Sequence, residues 1–316
     1  MNFDFVLSDF WELVVTGLTQ GAIYALVALG YTLVYGVLKL INFAHSEVFM
    51  VGTFASWLTW TWLGLGVNSK VPPMILVIGY VAIAMVVAGL ASGATALLVE
   101  RVAYRPLRRR NAPSLIFLIT AIGASLVLME AVGLAVHRQP RGMPVLVKPA
   151  TLFHFFDATV TNLQFTIIIS ALVMMVALDF FINRTKWGRG VRAVAQNPDA
   201  AALMGVNRDR IIMLIFVLGG LLAGVAAVLY SVKVGNTTYD VGFNLGIAAF
   251  AAAVLGGIGN LRGALLGGLL LGVVENLGAG LFGNPWRNVV SFLVLVLVLL
   301  FRPNGLLGET LGKARV

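Results

Sequence analysis

Residues 184–210 read RTKWGRGVRAVAQNPDAAALMGVNRDR, and residues 211–232 continue as IIMLIFVLGGLLAGVAAVLYSV. The second stretch carries no charge over a length that matches the about 20 mainly apolar residues needed to cross a bilayer. The first carries Arg184, Lys186, Arg189, Arg192, Arg208 and Arg210 against only Asp199 and Asp209. An apolar run that begins where a basic loop stops marks a membrane helix whose loop is held on the cytoplasmic side. The run is continuously apolar and does not alternate with period two, so a β-barrel strand is excluded.

The same pattern extends outward in both directions. Apolar spans are predicted at 13–38, 46–66, 73–98, 114–136, 163–183, 211–232, 244–258, 264–282 and 287–301. The expected fold is an all-α polytopic membrane protein with about eight or nine transmembrane helices, some of them broken or re-entrant. It forms a single transmembrane domain over 1–316. Composition agrees: 59% of the 316 residues are hydrophobic and 11% charged, with a mean hydropathy of +0.95. A soluble domain carries roughly 25% charged residues, and the 22 basic and 13 acidic side chains here cannot cover a soluble surface. The absence of cysteine excludes disulfides, thiolate catalysis and Cys-based metal sites.

Topology follows from the basic residues. Arg101, Arg105, Arg108, Arg109 and Arg110 follow the third span, and two spans separate them from the 184–210 loop, so both fall on one face. Arg302, Lys313 and Arg315 follow the last span and place the C-terminus on that cytoplasmic face. The segment 137–161 has Arg138, Arg141 and Lys148 among Pro140, Pro144 and Pro149, and is expected outside. Residues 1–12 hold Asp4, Asp9 and Glu12 and no Lys or Arg, the reverse of a signal-peptide start. The first span is expected to be retained and, with nine spans, the N-terminus to lie outside. The net charge of +9 is then topological, and no nucleic-acid partner is required.

Two short stretches, 39–47 and 256–262, are each either a cytoplasmic turn or a helix break buried in the bundle. Leu40-Ile41-Asn42 precedes a helix containing Gly52, and Gly259-Asn260-Leu261 precedes one containing Gly267, Gly268 and Gly272. Interrupted apolar segments at corresponding positions of two halves point to a transport pathway.

Within the basic loop, PDAAALMG at 198–205 reads as a short helix. Pro198 suits the first helical position, Asp199 the positive first turn, and Gly205 the end. A helix this short is marginal alone in water, so a docking partner is expected. The order Asp199-Ala200-Ala201 with Gly205 resembles the EAA-type coupling loop of ABC importer permeases. Several stretches are similar to the branched-chain amino acid permease branch of that family: GLTQGAIYAL at 17–26, LINFAHSE at 40–47, RGVRAVAQN at 189–197 and GGIGNLRGA at 256–264. Ser46 departs from the family's usual Gly, and Asp199 stands where Glu is usual.

The resemblance implies a permease subunit of an ATP-driven importer for branched-chain amino acids or similar small zwitterions. Permeases for urea or short amides are an alternative within it. Asn197, Pro198, Asp199, Ala200, Ala201 and Gly205 would form a helix seated in a groove of the ATPase. The implied partners are two ATP-binding cassette ATPase subunits, a second permease of the same family and an extracytoplasmic solute-binding protein, in a bacterial inner membrane. No Walker A sequence occurs in the chain, so ATP hydrolysis is expected of separate subunits and not of this one.

The polar residues inside apolar spans are the pathway candidates: Gln20, Asn42, His45, Glu47, Asn260, Glu275 and Asn276. Asn42 is expected to cap the following helix and His45 to be hydrogen-bonded. His45 and Glu47, two residues apart on a helix, do not face each other. With His137 and His154 outside, no metal or acid–base site is expected, and no cofactor. Glu130 and Glu275 are membrane acids with no basic residue close in sequence. Asp179, near the cytoplasmic end of its span, is expected to pair with an interfacial base. Gly257-x-Gly259 lacks the third glycine and the βαβ flanks of a dinucleotide fingerprint. Gly17/Gly21, Gly89/Gly93, Gly220/Gly224, Gly263/Gly267 and Gly268/Gly272 are small-xxx-small helix contacts instead. An ion-coupled secondary transporter would need a carboxylate-rich ion site, which two isolated acids supply poorly.

Overall fold

The computed structural model describes residues 3–308. Lys313 and Arg315 lie outside the described residues. A short helix α1 (Phe3–Ser8) leads into α2 (Phe10–Leu38), α3 (His45–Trp62) and α4 (Met74–Val99). A π-helical turn at Glu100–Tyr104 joins α4 to α5 (Arg105–Arg109), followed by α6 (Ser114–Ala135). Strands β1 (Arg141–Gly142), β2 (Thr151–Phe155) and β3 (Ala158–Thr161) precede α7 (Asn162–Arg184), α8 (Lys186–Gln196), α9 (Pro198–Leu203) and α10 (Arg208–Val234). Strand β4 (Asn236–Thr237), α11 (Val241–Gly256), α12 (Leu261–Phe282) and α13 (Arg287–Phe301) complete the chain.

Among the described residues, seven helices are long and apolar enough to cross a membrane: Phe10–Leu38, Met74–Arg109, Ser114–Ala135, Asn162–Arg184, Arg208–Val234, Leu261–Phe282 and Asn284–Phe301. The other two expected spans are α3, with 18 residues, and α11, with 16. At 1.5 Å per residue they reach only about 27 and 24 Å, short of the about 30 Å hydrocarbon layer. Both are buried by protein over most of their length, which is what permits irregular backbone beside them at membrane depth.

The third span differs from expectation. It does not stop at 98; the helix runs without a break from Met74 to Arg109. Arg101, Arg105, Arg108 and Arg109 are therefore helical, and only Arg110 begins the turn. Their charges mark the edge of the membrane and not the end of the helix. The segment 137–161 is also more ordered than a loop. Strands β2 and β3 form an antiparallel hairpin (Phe153 opposite Val160, Phe155 opposite Ala158), and β1 pairs with β4. Phe155 and Phe156 of the hairpin pack on Trp11, and Thr159 N donates to Glu12 at 2.9 Å. The start of the chain thus lies on the same face as 137–161.

Two sets of helices pack alike. The first long helix of each half lies against the third of the other: α2 against α12, and α10 against α4. Likewise α3 packs on α4 and α11 on α12. Glycines allow the close approach in both. A Cβ on Gly17 would stand 2.7 Å from Val273 Cα, and one on Gly220 would stand 2.7 Å from Gly93 Cα. In membranes such small-residue faces replace the hydrophobic effect as the source of helix association. Between the halves, α2 and α10 cross antiparallel, with Gln20 beside Lys233 and Gly30 beside Gly219. The second half is therefore inverted relative to the first.

The two breaks occupy matching places. After α2, Lys39 adopts a left-handed conformation, and the chain turns back so that α3 starts at His45, whose ring meets Gly30 inside the bundle. After α10, Gly235 takes the left-handed position and α11 starts at Val241. The N-terminal turns of α3 and α11 meet: a Cβ on Gly242 would stand 2.6 Å from Glu47 Oε2. The stretch 256–262 is a tight connection from α11 to α12 with positive φ at Gly257 and Gly259. The segment 302–308 folds over it, with Leu306 N and Leu307 N donating to the Leu255 and Gly256 carbonyls.

Candidate functional site

The basic loop folds as expected and gains a surface. Thr185 caps α8 by accepting from Gly188 N at 3.0 Å, and Val191 and Val194 of α8 are buried. Arg192 donates to the Ile182 carbonyl at the end of α7, which holds α8 against the bundle. The Asn197 side chain accepts from Asp199 N and Ala200 N, both at 3.0 Å, and so caps α9, with Pro198 in its first turn. Asp199 lies in that first turn, where the helix dipole favours a negative charge. Gly205 closes the helix at φ +85°, its N–H donating to the Ala202 carbonyl.

One side of this short helix is anchored through Ala201, which is buried. The opposite side projects Leu203 at 89% and Met204 at 85% exposure, beside exposed Asp199 and Ala200. Sequence reasoning singled out the backbone-setting residues and passed over these two. An apolar residue in a basic loop looks like inward packing until the helix direction is known.

The start of α10 ties this loop to α4 and α5. Asp209 accepts from Arg108 at 2.7 Å and from Arg105 at 3.3 Å, and Arg108 also donates to Glu100 at 3.0 Å. One turn away, the Tyr104 hydroxyl donates to Asn42 Oδ1 at 3.2 Å. Asn42 is therefore not a cap; the N-cap position of α3 is Ala44, with no side-chain bond. Tyr104, at the end of the π turn, also has its hydroxyl 3.3 Å from the Ile41 carbonyl at the first break.

The remaining pathway candidates separate into three places. His45 and Glu47 are buried where α3 and α11 meet. The His45 side chain has a backbone hydrogen bond with Val27, and its ring lies edge-on to Tyr31 at 5.0 Å. Glu47 Oε1 accepts from Ser125 at 3.3 Å and from Ser46 at 3.4 Å, while Oε2 has no partner. Gln20, Glu275 and Asn276 form a second group toward the opposite face. Lys233 donates to Gln20 at 2.6 Å; Tyr24 and Ser291 donate to Glu275 at 2.8 and 2.6 Å. Asn276 donates to the Leu13 carbonyl and accepts from Arg287, both at 2.7 Å. Asn260 stands apart, half-buried, at the start of α12. It caps α12 by accepting from Arg262 N and Gly263 N, and donates to the Leu307 carbonyl.

Glu130 is not without a base: Arg138, two turns on, meets it at 2.7 Å, because the helix ends at Ala135 and the chain folds back. Asp179 pairs with Arg262 at 3.4 Å, in line with expectation. Lys233, Arg287, Tyr24 and Ser291 are the residues sequence reasoning missed. The two cations at the ends of α10 and α13 were the available signal, since a charge at the end of a span near a membrane acid is a natural partner.

Comparison with known proteins places this geometry. A family model described as branched-chain amino acid transport system / permease component matches residues 13–299. The chain is 43% identical over 298 residues to the high-affinity branched-chain amino acid transport system permease protein BraD of Pseudomonas aeruginosa, covering 93% of this chain and 94% of that protein. It is 40% identical over 304 residues to the LivH permease protein of Escherichia coli K12, covering 95% and 96%. A probable branched-chain amino acid transport permease protein of Methanocaldococcus jannaschii is 26% identical over 302 residues, covering 92% and 90%. With its long apolar helices and its exposed loop helix on one face, the chain belongs to the branched-chain amino acid permease family of multi-pass membrane proteins.

Proposed function

We propose that this chain is the membrane permease subunit of an ATP-driven importer for branched-chain amino acids or similarly small zwitterions, in a bacterial inner membrane. The single observation that carries the reading is α9: a rigidly capped six-residue helix presenting Leu203 and Met204 to solvent beside Asp199. Unpaired apolar side chains on a capped helix suit a groove on another protein. In this reading α9 docks on an ATP-binding cassette ATPase. Closure of two such ATPases moves α9, and Asp209 passes the movement through Arg108 to α4. A second permease of the family completes the membrane unit, and an extracytoplasmic binding protein delivers the solute. The sparse polar lining fits that division of labour, because tight binding inside the membrane would slow release.

The chain has no cysteine, so a single Leu203→Cys variant carries a unique label. Reconstituted with the ATPases, partner permease and binding protein, it is expected to cross-link to an ATPase subunit while ATP-dependent leucine uptake by the unlabelled complex proceeds. Uptake that needs no ATP, or that follows an ion gradient instead, would overturn the reading.

A further inference from the structure

We propose that residues 151–156, the first limb of the hairpin on the face opposite the basic loop, form an anchor in the outer leaflet of the membrane. The partner is the phospholipid surface itself, with headgroups along the backbone and the tops of the acyl chains against the rings. The proposal goes beyond the transport reading and rests on the membrane spans alone.

The stretch 149–156 reads PATLFHFF, and neither Lys, Arg, Asp nor Glu occurs between Lys148 and Asp157. It can therefore meet lipid without burying a formal charge. Every residue of β2 is exposed, whereas Ala158 and Val160 of β3 are buried with Val15 of α2. One strand thus fixes the hairpin to the bundle, and the other is held out from it. Leu152, Phe153, Phe155 and Phe156 are between 45% and 68% exposed, an apolar grouping of the kind that marks an interaction surface. The turn adds to this. Phe156 has φ +51° in a two-residue loop, where Asn or Gly is favoured. Backbone preference does not account for a phenylalanine there, which leaves its exposed ring as the reason for it.

What covers this limb follows from its height. Val15 lies about 36 Å along α2 from Lys39, and Phe165 lies about 28 Å along α7 from Arg184. The ring centroids of Phe153 and Phe165 are 6.2 Å apart. A bilayer has a hydrocarbon layer about 30 Å thick and is about 40–45 Å thick with its headgroups. The hairpin therefore sits within the outer headgroup layer and not above it.

The limb is also continuous with an apolar surface that faces lipid. Helix α7 exposes Phe165, Ile169, Val173, Val176 and Phe180 along one stripe at helical spacing, and Phe153 prolongs that stripe outward. At the other end of the limb, Phe156 stacks at 4.7 Å on Trp11, in the first turn of α2. The rings bridge the outer ends of two spans at the level where aromatic side chains collect. Backbone sets the limit of depth. The hairpin is a two-stranded sheet with free edges, and unpaired backbone groups do not enter the hydrocarbon. The limb consequently lies at the boundary, its rings reaching about 5–10 Å inward as in other interfacial anchors.

The test uses the complete importer in lipid nanodiscs, its other subunits made cysteine-free. Because this chain has no cysteine, Phe153→Cys and Phe156→Cys each take a single nitroxide label. Val173→Cys on the α7 stripe is the lipid reference. Asn68→Cys, exposed in the connection between α3 and α4, is the water reference. Collision with oxygen, which concentrates in lipid, is compared with collision with a water-soluble nickel chelate. At positions 153 and 156 oxygen is expected to dominate, reversing the ratio at Asn68→Cys and approaching that at Val173→Cys. Adding the binding protein is expected to leave the ratio unchanged.

A ratio equal to that at Asn68→Cys would overturn the anchor. Labels reached by neither reagent would overturn it too, since another subunit then covers the limb. Loss of oxygen contact on adding the binding protein would make the limb a docking surface for that protein instead. Where replacing a ring disturbs the hairpin, the wild-type complex decides. A phospholipid with a photoreactive group on its first acyl carbons is expected to leave adducts on residues 151–156. Adducts on α7 with none on 151–156 would sink the proposal, whatever the complex transports.

Discussion

Gly205 sits at φ +85° with nothing within 4 Å of where a Cβ would project. A side chain there meets no neighbour, so its cost is the backbone's alone, about 1–2 kcal/mol for a left-handed L-residue. That strain falls on the end of α9 and leaves the membrane helices untouched. Gly205→Val is therefore expected to insert normally, seen as unchanged amounts in membranes, and to lose most ATP-coupled uptake. Uptake at the wild-type rate would remove α9 from the coupling step. Glu275 illustrates a different kind of residue. Tyr24 and Ser291 both donate to it, so Glu275→Leu leaves two buried hydroxyls unpaired at about 1–3 kcal/mol each. Glu275→Gln keeps an acceptor and is expected to lower the thermal midpoint of the purified chain much less than Glu275→Leu. The acid itself was legible in the sequence as a polar group in a glycine-rich span. Its partner Tyr24 was not, because 251 positions separate them and a tyrosine in an apolar run looks like any other aromatic.

At the scale of elements, the capped helix α9 was fully readable. Its signals, Pro198, Asp199 and Gly205, act within one or two turns, where sequence distance and spatial distance coincide. The end of α4 was misread for the opposite reason. Arginine is a good helix former, so a run of them stops the membrane without stopping the helix. The helix–helix seams were legible as glycine pairs but not as partners. Gly21 meets Gly268 and Leu269 of α12, while Gly224 meets Ala88 and Gly89 of α4. Backbone lies so close at both that no side chain can be accommodated. Gly21→Leu and Gly224→Leu are each expected to prevent a stable fold, read as loss of monodisperse protein after detergent extraction. Gly123→Leu, where nothing lies within 4 Å, is the matched control and is expected to leave extraction unchanged.

For the molecule as a whole, two inverted halves bring α3 and α11 together by their N-terminal turns, with Glu47 between them. The loose likeness of the stretches at 40–42 and 259–261 pointed toward a repeat. The structure aligns the halves differently: the break after α2 matches the break after α10, and 256–262 is a surface connection. The sequence contains no phosphate-binding loop. Purified alone in lipid, it is expected to show no ATP hydrolysis above an empty-vesicle baseline, and activity is expected to appear only on adding the ATPase subunits. Hydrolysis by the isolated chain would contradict the assignment of roles.

The sequence by itself determined the class, most of the spans, the shared face of the basic segments and the short helix α9 between them. These follow from hydropathy and from charge near the membrane edge, both of which are sums over neighbouring residues. Tertiary structure alone decided which glycine faces which helix, that α3 and α11 begin inside the bundle, and that Phe156 of the hairpin stacks on Trp11. Such contacts join residues far apart in the chain, and no local pattern encodes the partner. In a bilayer every apolar helix face is equally content with lipid, so only shape complementarity between distant segments selects the packing.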